Sequence, residues 1–127
     1  MADIKKELTA YLEAQGLQPQ VEDFGIHFRY QMLNFWFLTD EKDQQYLRLV
    51  MPGVMDVDEN NRTDVLEACN SVSNFMKVAK CFISDNNDVW IACEQLLDQD
   101  PKLEKIIPRS LGILQESIKA FREAIDS

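Results

Sequence analysis

The chain has few of the residues on which several common functional sites depend. It contains four glycines, three cysteines and one histidine among 127 residues. So few glycines make a phosphate-binding loop difficult to build, and no GxSxG nucleophile motif occurs. The histidine, His27, has no serine, cysteine or paired carboxylate beside it at a catalytic spacing. The sequence therefore predicts a protein that is not an enzyme and that needs no cofactor.

Positive charge is also scarce. The chain has 13 lysines and arginines against 22 acidic residues, a net charge of −9. Nucleic acids and anionic membranes are bound by clustered basic residues, so we predict neither as a partner. No apolar run approaches the roughly 20 residues of a membrane span, and the initial MADIKKEL is charged, unlike a signal peptide. We therefore predict a cytoplasmic protein that forms one domain over residues 1–127.

The three cysteines favour a packing role over redox or metal chemistry. Cys69, Cys81 and Cys93 are twelve residues apart each time and form no CxxC pair. Each lies among apolar neighbours, and a metal site would need more ligands than one histidine adds. We predict small, buried side chains in a reducing compartment and no metal site.

What the sequence does contain is a succession of amphipathic segments. The predicted order is a helix, three strands, a helix, two strands and a helix. The helices are expected at Ala2–Gln15, at Thr63–Met76 and from Pro101 onward, with a kink or a break at Pro108. The strands are expected at Gly25–Tyr30, Leu33–Leu38, Tyr46–Met51, Val78–Ser84 and Asp88–Cys93. This order predicts an α+β domain with a five-stranded, mainly antiparallel sheet.

Several stretches are typical of one known family. They are Phe28–Tyr30 with the aromatic strand after it, YLRLVMPG at Tyr46–Gly53, CNSVSNFMKVAKCFI at Cys69–Ile83 and VWIACEQLL at Val89–Leu97. With the order of elements, these stretches resemble the YbjN-type domain, a bacterial family labelled sensory transduction regulators. The resemblance implies a curved antiparallel sheet packed with helices, like that of type III secretion chaperones. It also implies a non-enzymatic module, often dimeric, that holds segments of other proteins, and it implies no catalytic residues.

Asn70 and Asn74 form a polar pair within the second predicted helix. They are one helical turn apart and so share a face. Their amides would either tie the helix to nearby loop backbone, a structural role, or meet the main chain of a partner.

The candidate partner-binding residues lie on the second face of the predicted sheet. Trp36, Leu38, Val50 and Trp90 fall opposite to the main core residues of their strands. They need cover from the second helix, from a second subunit or from a client segment. Because aromatic anchors dominate interfaces, we predict a chaperone-like or regulatory module that docks a partner protein segment, or a homodimer, through these residues.

The segment Asp56–Glu67 gives an alternative function, calcium binding. Its residues match the ligand positions of an EF-hand loop in the order Asp56, Asp58, Asn60, Arg62, Asp64 and Glu67. Two features argue against it, because Asn61 replaces the glycine of the motif and a strand precedes the loop where the motif has a helix. The other interpretation is a polar loop followed by acidic residues in a first helical turn.

Overall fold

Three helices and six strands follow one another in the computed structural model, which describes residues 3–126. The helices are α1 (Ile4–Ala14), α2 (Arg62–Phe75) and α3 (Leu103–Asp126). The strands are β1 (Gln20–Glu22), β2 (Gly25–Tyr30), β3 (Leu33–Leu38), β4 (Tyr46–Met51), β5 (Ala79–Ile83) and β6 (Val89–Leu96). The predicted α+β class is confirmed, and the predicted number of five strands is corrected to six. The missed strand, β1, has three residues that are all exposed, so it carries no alternating pattern.

All the strands pair into one antiparallel sheet in the order β1-β2-β3-β4-β6-β5. The first four are neighbours in sequence, which is the arrangement that short connections favour. β6 then pairs with β4, and β5 lies at the edge, connected to β4 through α2. The centre of the sheet is therefore built by residues far apart in sequence, such as Val50 opposite Ala92.

The ends of α1 follow from its sequence. Asp3 caps the helix by accepting a hydrogen bond from the Lys6 amide. At the other end Gly16 has a φ of +77°, and the Leu17 amide donates to the Leu12 carbonyl at 3.0 Å. The helix was expected to end at Gln15, and it ends at Ala14 with this glycine-based termination directly after the Gln15 cap. Ala2, the expected first helical residue, lies outside the described residues.

α3 is one uninterrupted helix of 24 residues with Pro108 inside it. Of the two predicted outcomes at Pro108, division into two helices is wrong. The proline removes one helical hydrogen bond and crowds the Glu104 carbonyl. Burial of Ile107 and Leu111 on either side holds the helix against the sheet through that defect. None of the helices in residues 3–126 combines the length and the apolar character that crossing a membrane requires.

The core lies between one face of the sheet and all three helices. Alternate strand residues such as Phe28, Phe37 and Leu49 form one buried cluster with residues of α1, α2 and α3. α2 contributes Val65, Ala68, Cys69 and Val72 to this same cluster. The helices therefore share one face of the sheet, and α2 does not cover the other.

Candidate binding face

The second face of the sheet has no helix packed over it within residues 3–126. We call this surface the open face. In register it consists of the strand residues whose side chains alternate away from the core. Its central members are His27, Trp36, Leu38, Arg48, Val50, Lys80, Phe82, Trp90, Ala92 and Glu94. The four predicted partner-binding residues all lie among them.

The floor of the open face is small and apolar. Val50 of β4 pairs with Trp36 of β3 on one side and with Ala92 of β6 on the other. Val50 and Ala92 are both 0% exposed, although neither belongs to the core cluster under the helices. Their burial comes from neighbouring side chains of the open face itself. The face is therefore packed at its centre and exposes its larger residues around that centre.

An aromatic group stands on each side of this floor. On one side Trp36 stacks on Phe24 and contacts His27, with ring centroids 5.0 Å apart in both pairs. Phe24 keeps 58% of its surface exposed, and Trp36 is half-buried. On the other side the ring centroids of Trp90 and Phe82 are 6.1 Å apart, and Trp90 Nε1 donates a hydrogen bond to Asp88 Oδ2 at 3.1 Å. The two tryptophans are thus held in defined positions while their rings remain partly exposed.

Sequence reasoning missed Phe24 and Phe82. Phe82 had a usable signal, because it alternates with Cys81 and Ile83 in its strand and so belongs with the opposite face. Phe24 had none. It lies between β1 and β2, outside both strands, and reaches Trp36 only because the turn there brings it back over β3.

A charged cluster borders the apolar floor. Glu94 accepts a hydrogen bond from the Tyr46 hydroxyl and lies 2.7 Å from Lys80 Nζ and 3.8 Å from Arg48 Nε. Burial acts to raise the pKa of Glu94, but hydrogen bonds from Lys80 and Tyr46, with the charges of Lys80 and Arg48, lower it below its ordinary value. Burial and then the bond to Glu94 raise the pKa of Tyr46 to about 12. At neutral pH this cluster therefore holds two cations and one carboxylate.

The open face differs in charge from the rest of the molecule. Its strands carry the cations Arg29, Arg48 and Lys80 against the carboxylates Glu22 and Glu94. The whole chain carries 13 basic against 22 acidic residues. Asp88, which accepts the hydrogen bond from Trp90 at the edge of this face, brings the charges to three against three. An acidic protein thus has a nearly neutral, aromatic surface on one side of its sheet.

Side chains of the predicted calcium loop bond to the backbone of the loop itself. Asp58 Oδ1 accepts hydrogen bonds from the amides of Asn60 and Asn61, and Asn61 Oδ1 accepts one from the Asp58 amide. α2 begins at Arg62, so the second half of the supposed loop is helical. Among residues 3–126, no three histidine, cysteine, aspartate or glutamate side chains form a group that could hold a metal ion. The side-chain oxygens of Asp58 and Asn61 bond to the backbone of their own turn instead.

Asn70 and Asn74 are exposed on α2. Neither side-chain amide forms a hydrogen bond with another residue that the structure describes. The residue that fastens α2 to the sheet is Ser73, which the sequence reasoning did not single out. Its Oγ accepts from the Cys81 amide at 2.8 Å and donates to the Cys81 carbonyl at 3.2 Å. Because β5 is an edge strand, Ser73 satisfies backbone groups that would otherwise be unpaired.

Comparison with known proteins supports the fold. No protein-family model and no curated protein sequence matches the chain. Among solved structures, YbjN from E. coli, a proposed transcription regulator, aligns with a TM-score of 0.71 at 10% identity over 94% of this chain and 89% of its own. An uncharacterized protein from Methanothermobacter thermautotrophicus aligns with a TM-score of 0.67 at 10% identity over 98% of both chains. At this identity the likeness concerns the fold, and the chain has a YbjN-type fold.

Proposed function

We propose that the chain is a cytoplasmic, non-enzymatic binding module of a regulatory or chaperone-like kind. It acts as one domain and docks an apolar segment of a partner protein on the open face. The observation that carries this proposal is a sheet face with two half-buried tryptophans over which no helix of residues 3–126 packs. The descriptions of its structural neighbours, a proposed transcription regulator and an uncharacterized protein, agree with a function other than catalysis.

An apolar patch of ordinary size favours reversible binding on the open face. Covering roughly 300 Å² of apolar surface contributes about 7.5 kcal/mol at about 25 cal/mol per Å². Lost translational and rotational freedom offsets at least about 4 kcal/mol of that gain. The remainder corresponds to weak association unless polar contacts add to it. We expect a partner that binds and leaves rather than a permanent subunit.

The charges of the open face define the partner's chemistry. Arg48 and Lys80 share one carboxylate, Glu94, so the cluster beside the apolar floor keeps one unbalanced positive charge. A partner carboxylate placed there gains a charge-assisted contact, whereas a lysine would be repelled. The partner is therefore a segment in which apolar side chains alternate with, or are flanked by, aspartate or glutamate.

A peptide-selection experiment tests this proposal. Peptides selected from a random displayed library against the full chain are expected to combine apolar and acidic residues. Their affinity, measured by tryptophan fluorescence and calorimetry, should fall at least about tenfold when Trp36 and Trp90 are both changed to Ala. Phe75→Ala is the matched control, because Phe75 is also an exposed aromatic residue but lies on α2, away from the open face.

A second variant covers the case in which the double tryptophan change unfolds the protein. Lys80→Glu reverses a half-exposed charge and should weaken acidic peptides by about tenfold while leaving uncharged ones unaffected. The proposal is wrong if the selected peptides bind both variants as well as the wild type. Light scattering on the same samples measures whether the chain forms a dimer. A wild-type dimer that dissociates in Trp36→Ala would show that the open face binds a second copy of the chain and not a partner segment.

A further inference from the structure

Two buried thiols meet where α2 packs on β5. Cys69 lies on α2 and Cys81 on β5, and they are only 4% and 6% exposed. Both are free, and their sulfur atoms are 3.3 Å apart. A buried cysteine can pack as a small hydrophobic residue with apolar neighbours alone. Here each has the other's sulfur as a close neighbour, although the residues are twelve apart in sequence.

The surrounding structure fixes this contact. Ser73, one helical turn after Cys69, bonds to both backbone groups of Cys81. Val65 and Val72 of α2 are buried in the same cluster as Cys81. These contacts fix α2 relative to β5, and with them the positions of the two cysteine side chains. A disulfide requires the sulfurs to approach by only about 1.3 Å, to a bond of about 2.05 Å.

The two thiols are also unequal. The hydrogen bond from Cys81 lowers the pKa of Cys69, against the opposing effect of burial. The same bond, together with burial, raises the pKa of Cys81. Burial raises the pKa of the third cysteine, Cys93. Cys69 is thus the sulfur that holds negative charge most readily, and the thiolate is the reactive form.

We propose that Cys69 and Cys81 are an oxidation site at which a small hydroperoxide forms an intramolecular disulfide. The Cys69 thiolate attacks one peroxide oxygen, the O–O bond breaks, and hydroxide leaves and takes up a proton as water. Cys69 is then a sulfenic acid. The Cys81 sulfur attacks Cys69 Sγ, the S–O bond breaks, and the hydroxyl departs as water with the Cys81 proton. Two thiols and one hydrogen peroxide give one disulfide and two waters.

The burial of the pair determines which oxidant it takes. With exposed fractions of 4% and 6%, we expect the pair to react with hydrogen peroxide but not with glutathione disulfide, which joins two tripeptides, while α2 stays packed. The product joins α2 covalently to β5, the strand that carries Lys80 and Phe82 on its opposite side. This site is independent of the proposed function, because neither sulfur belongs to the open face.

Oxidation of the full chain with hydrogen peroxide tests the proposal. Intact-mass analysis after denaturation and alkylation is expected to show the loss of two hydrogens, with one cysteine still alkylated. In a tryptic digest the fragment Thr63–Lys77 should be linked to Cys81–Lys102, and fragmentation should assign the bond to Cys81 and leave Cys93 free. The melting temperature should rise by roughly 5–10 °C and return after reduction.

The third cysteine supplies the matched control. Cys93→Ser should still form the disulfide, whereas Cys69→Ser and Cys81→Ser should not. Fragment mapping on the wild type keeps the test valid if a serine variant does not fold. Oxygen adducts without a cross-link, intermolecular disulfides, or a bond to Cys93 would each overturn the proposal. Equal oxidation by glutathione disulfide would overturn its restriction to small oxidants.

Discussion

Trp36 and Trp90 differ from the core aromatic residues in what surrounds them. Phe28 is stacked between Phe35 and Phe37 under the helices and is almost fully buried, as are its neighbours. The tryptophans lie one residue out of phase with such core positions, on the open face. Alternation along each strand was enough to predict this difference from the sequence. The stack of Phe24 on Trp36 could not be predicted, because it depends on the path of the chain between β1 and β2.

The turn between β2 and β3 is a second residue-scale feature. Gln31 and Met32 have φ values of +49° and +67°, so the two central residues of a tight hairpin are both left-handed. Such turns prefer Asn-Gly, which explains why Gln-Met did not reveal the turn type. The strand pairing on either side imposes this conformation on residues that do not favour it.

Met32→Gly should therefore stabilise the protein. Met32 is 87% exposed, so its removal loses little packing. Relief of the left-handed conformation is worth about 1 kcal/mol in the free energy of unfolding, measured by urea denaturation. Leu96→Gly is the control, since Leu96 is equally exposed at the end of β6 with an ordinary φ, and it should lose about 0.5–1 kcal/mol. A less stable Met32→Gly protein would contradict the strain argument.

At the scale of elements, local pattern predicted most of the fold. Strands β2, β3 and β4 begin and end at the predicted residues. Within residues 3–126, the ends of α1 and α2 lie one or two residues from the predicted ends. β1 was missed because three exposed residues are a strand only through their pairing with β2. The insertion of β6 between β4 and β5 was not predicted either, since it depends on contacts between segments distant in sequence.

The attachment of α2 to β5 gives an element-scale prediction. Ser73→Ala leaves the amide and the carbonyl of Cys81 without their partner and should cost about 1–3 kcal/mol of stability in urea denaturation. The double change of Asn70 and Asn74 to Ala is the matched control on the same helix. It should leave stability unchanged or slightly higher, because both amides are exposed and alanine favours the helix.

The same variants decide between the two predicted roles of the asparagine pair. A loss of stability in the double variant as large as that of Ser73→Ala would support a structural tie to the loop backbone. Unchanged stability with weaker binding of the selected peptides would support contact with a partner's main chain.

At the scale of the whole molecule, the decisive feature is that the helices found between residues 3 and 126 all pack on the same face of the sheet. The sequence shows which side of a helix is apolar, but it does not show which face of a sheet that side will cover. Cover of Trp36 and Trp90 by α2 was therefore a reasonable expectation from the pattern alone. The contact of Cys69 and Ser73 with β5 places α2 with the other helices instead. The open face, and with it the candidate site, follows from this choice.

Net charge is the other whole-molecule property, and it affects how a calcium test must be designed. With 22 acidic and 13 basic residues, the folded chain repels itself, and any added salt should raise its melting temperature somewhat. Calcium must therefore be compared with magnesium at the same concentration. A calcium-specific effect is the excess of one shift over the other.

We expect no such excess. The carboxylate of Asp58, one of the predicted ligands, already accepts two backbone hydrogen bonds within its own turn. A sensor-type site with a Kd of about 10 μM would add about 2.7 kcal/mol at 1 mM calcium, or a shift on the order of 10 °C. Differential scanning calorimetry resolves a shift of that size easily. A calcium shift that exceeds the magnesium shift by this much, and that Asp58→Asn abolishes, would establish the segment Asp56–Glu67 as a calcium site. Screening of the net charge of −9 by salt would not depend on a single carboxylate.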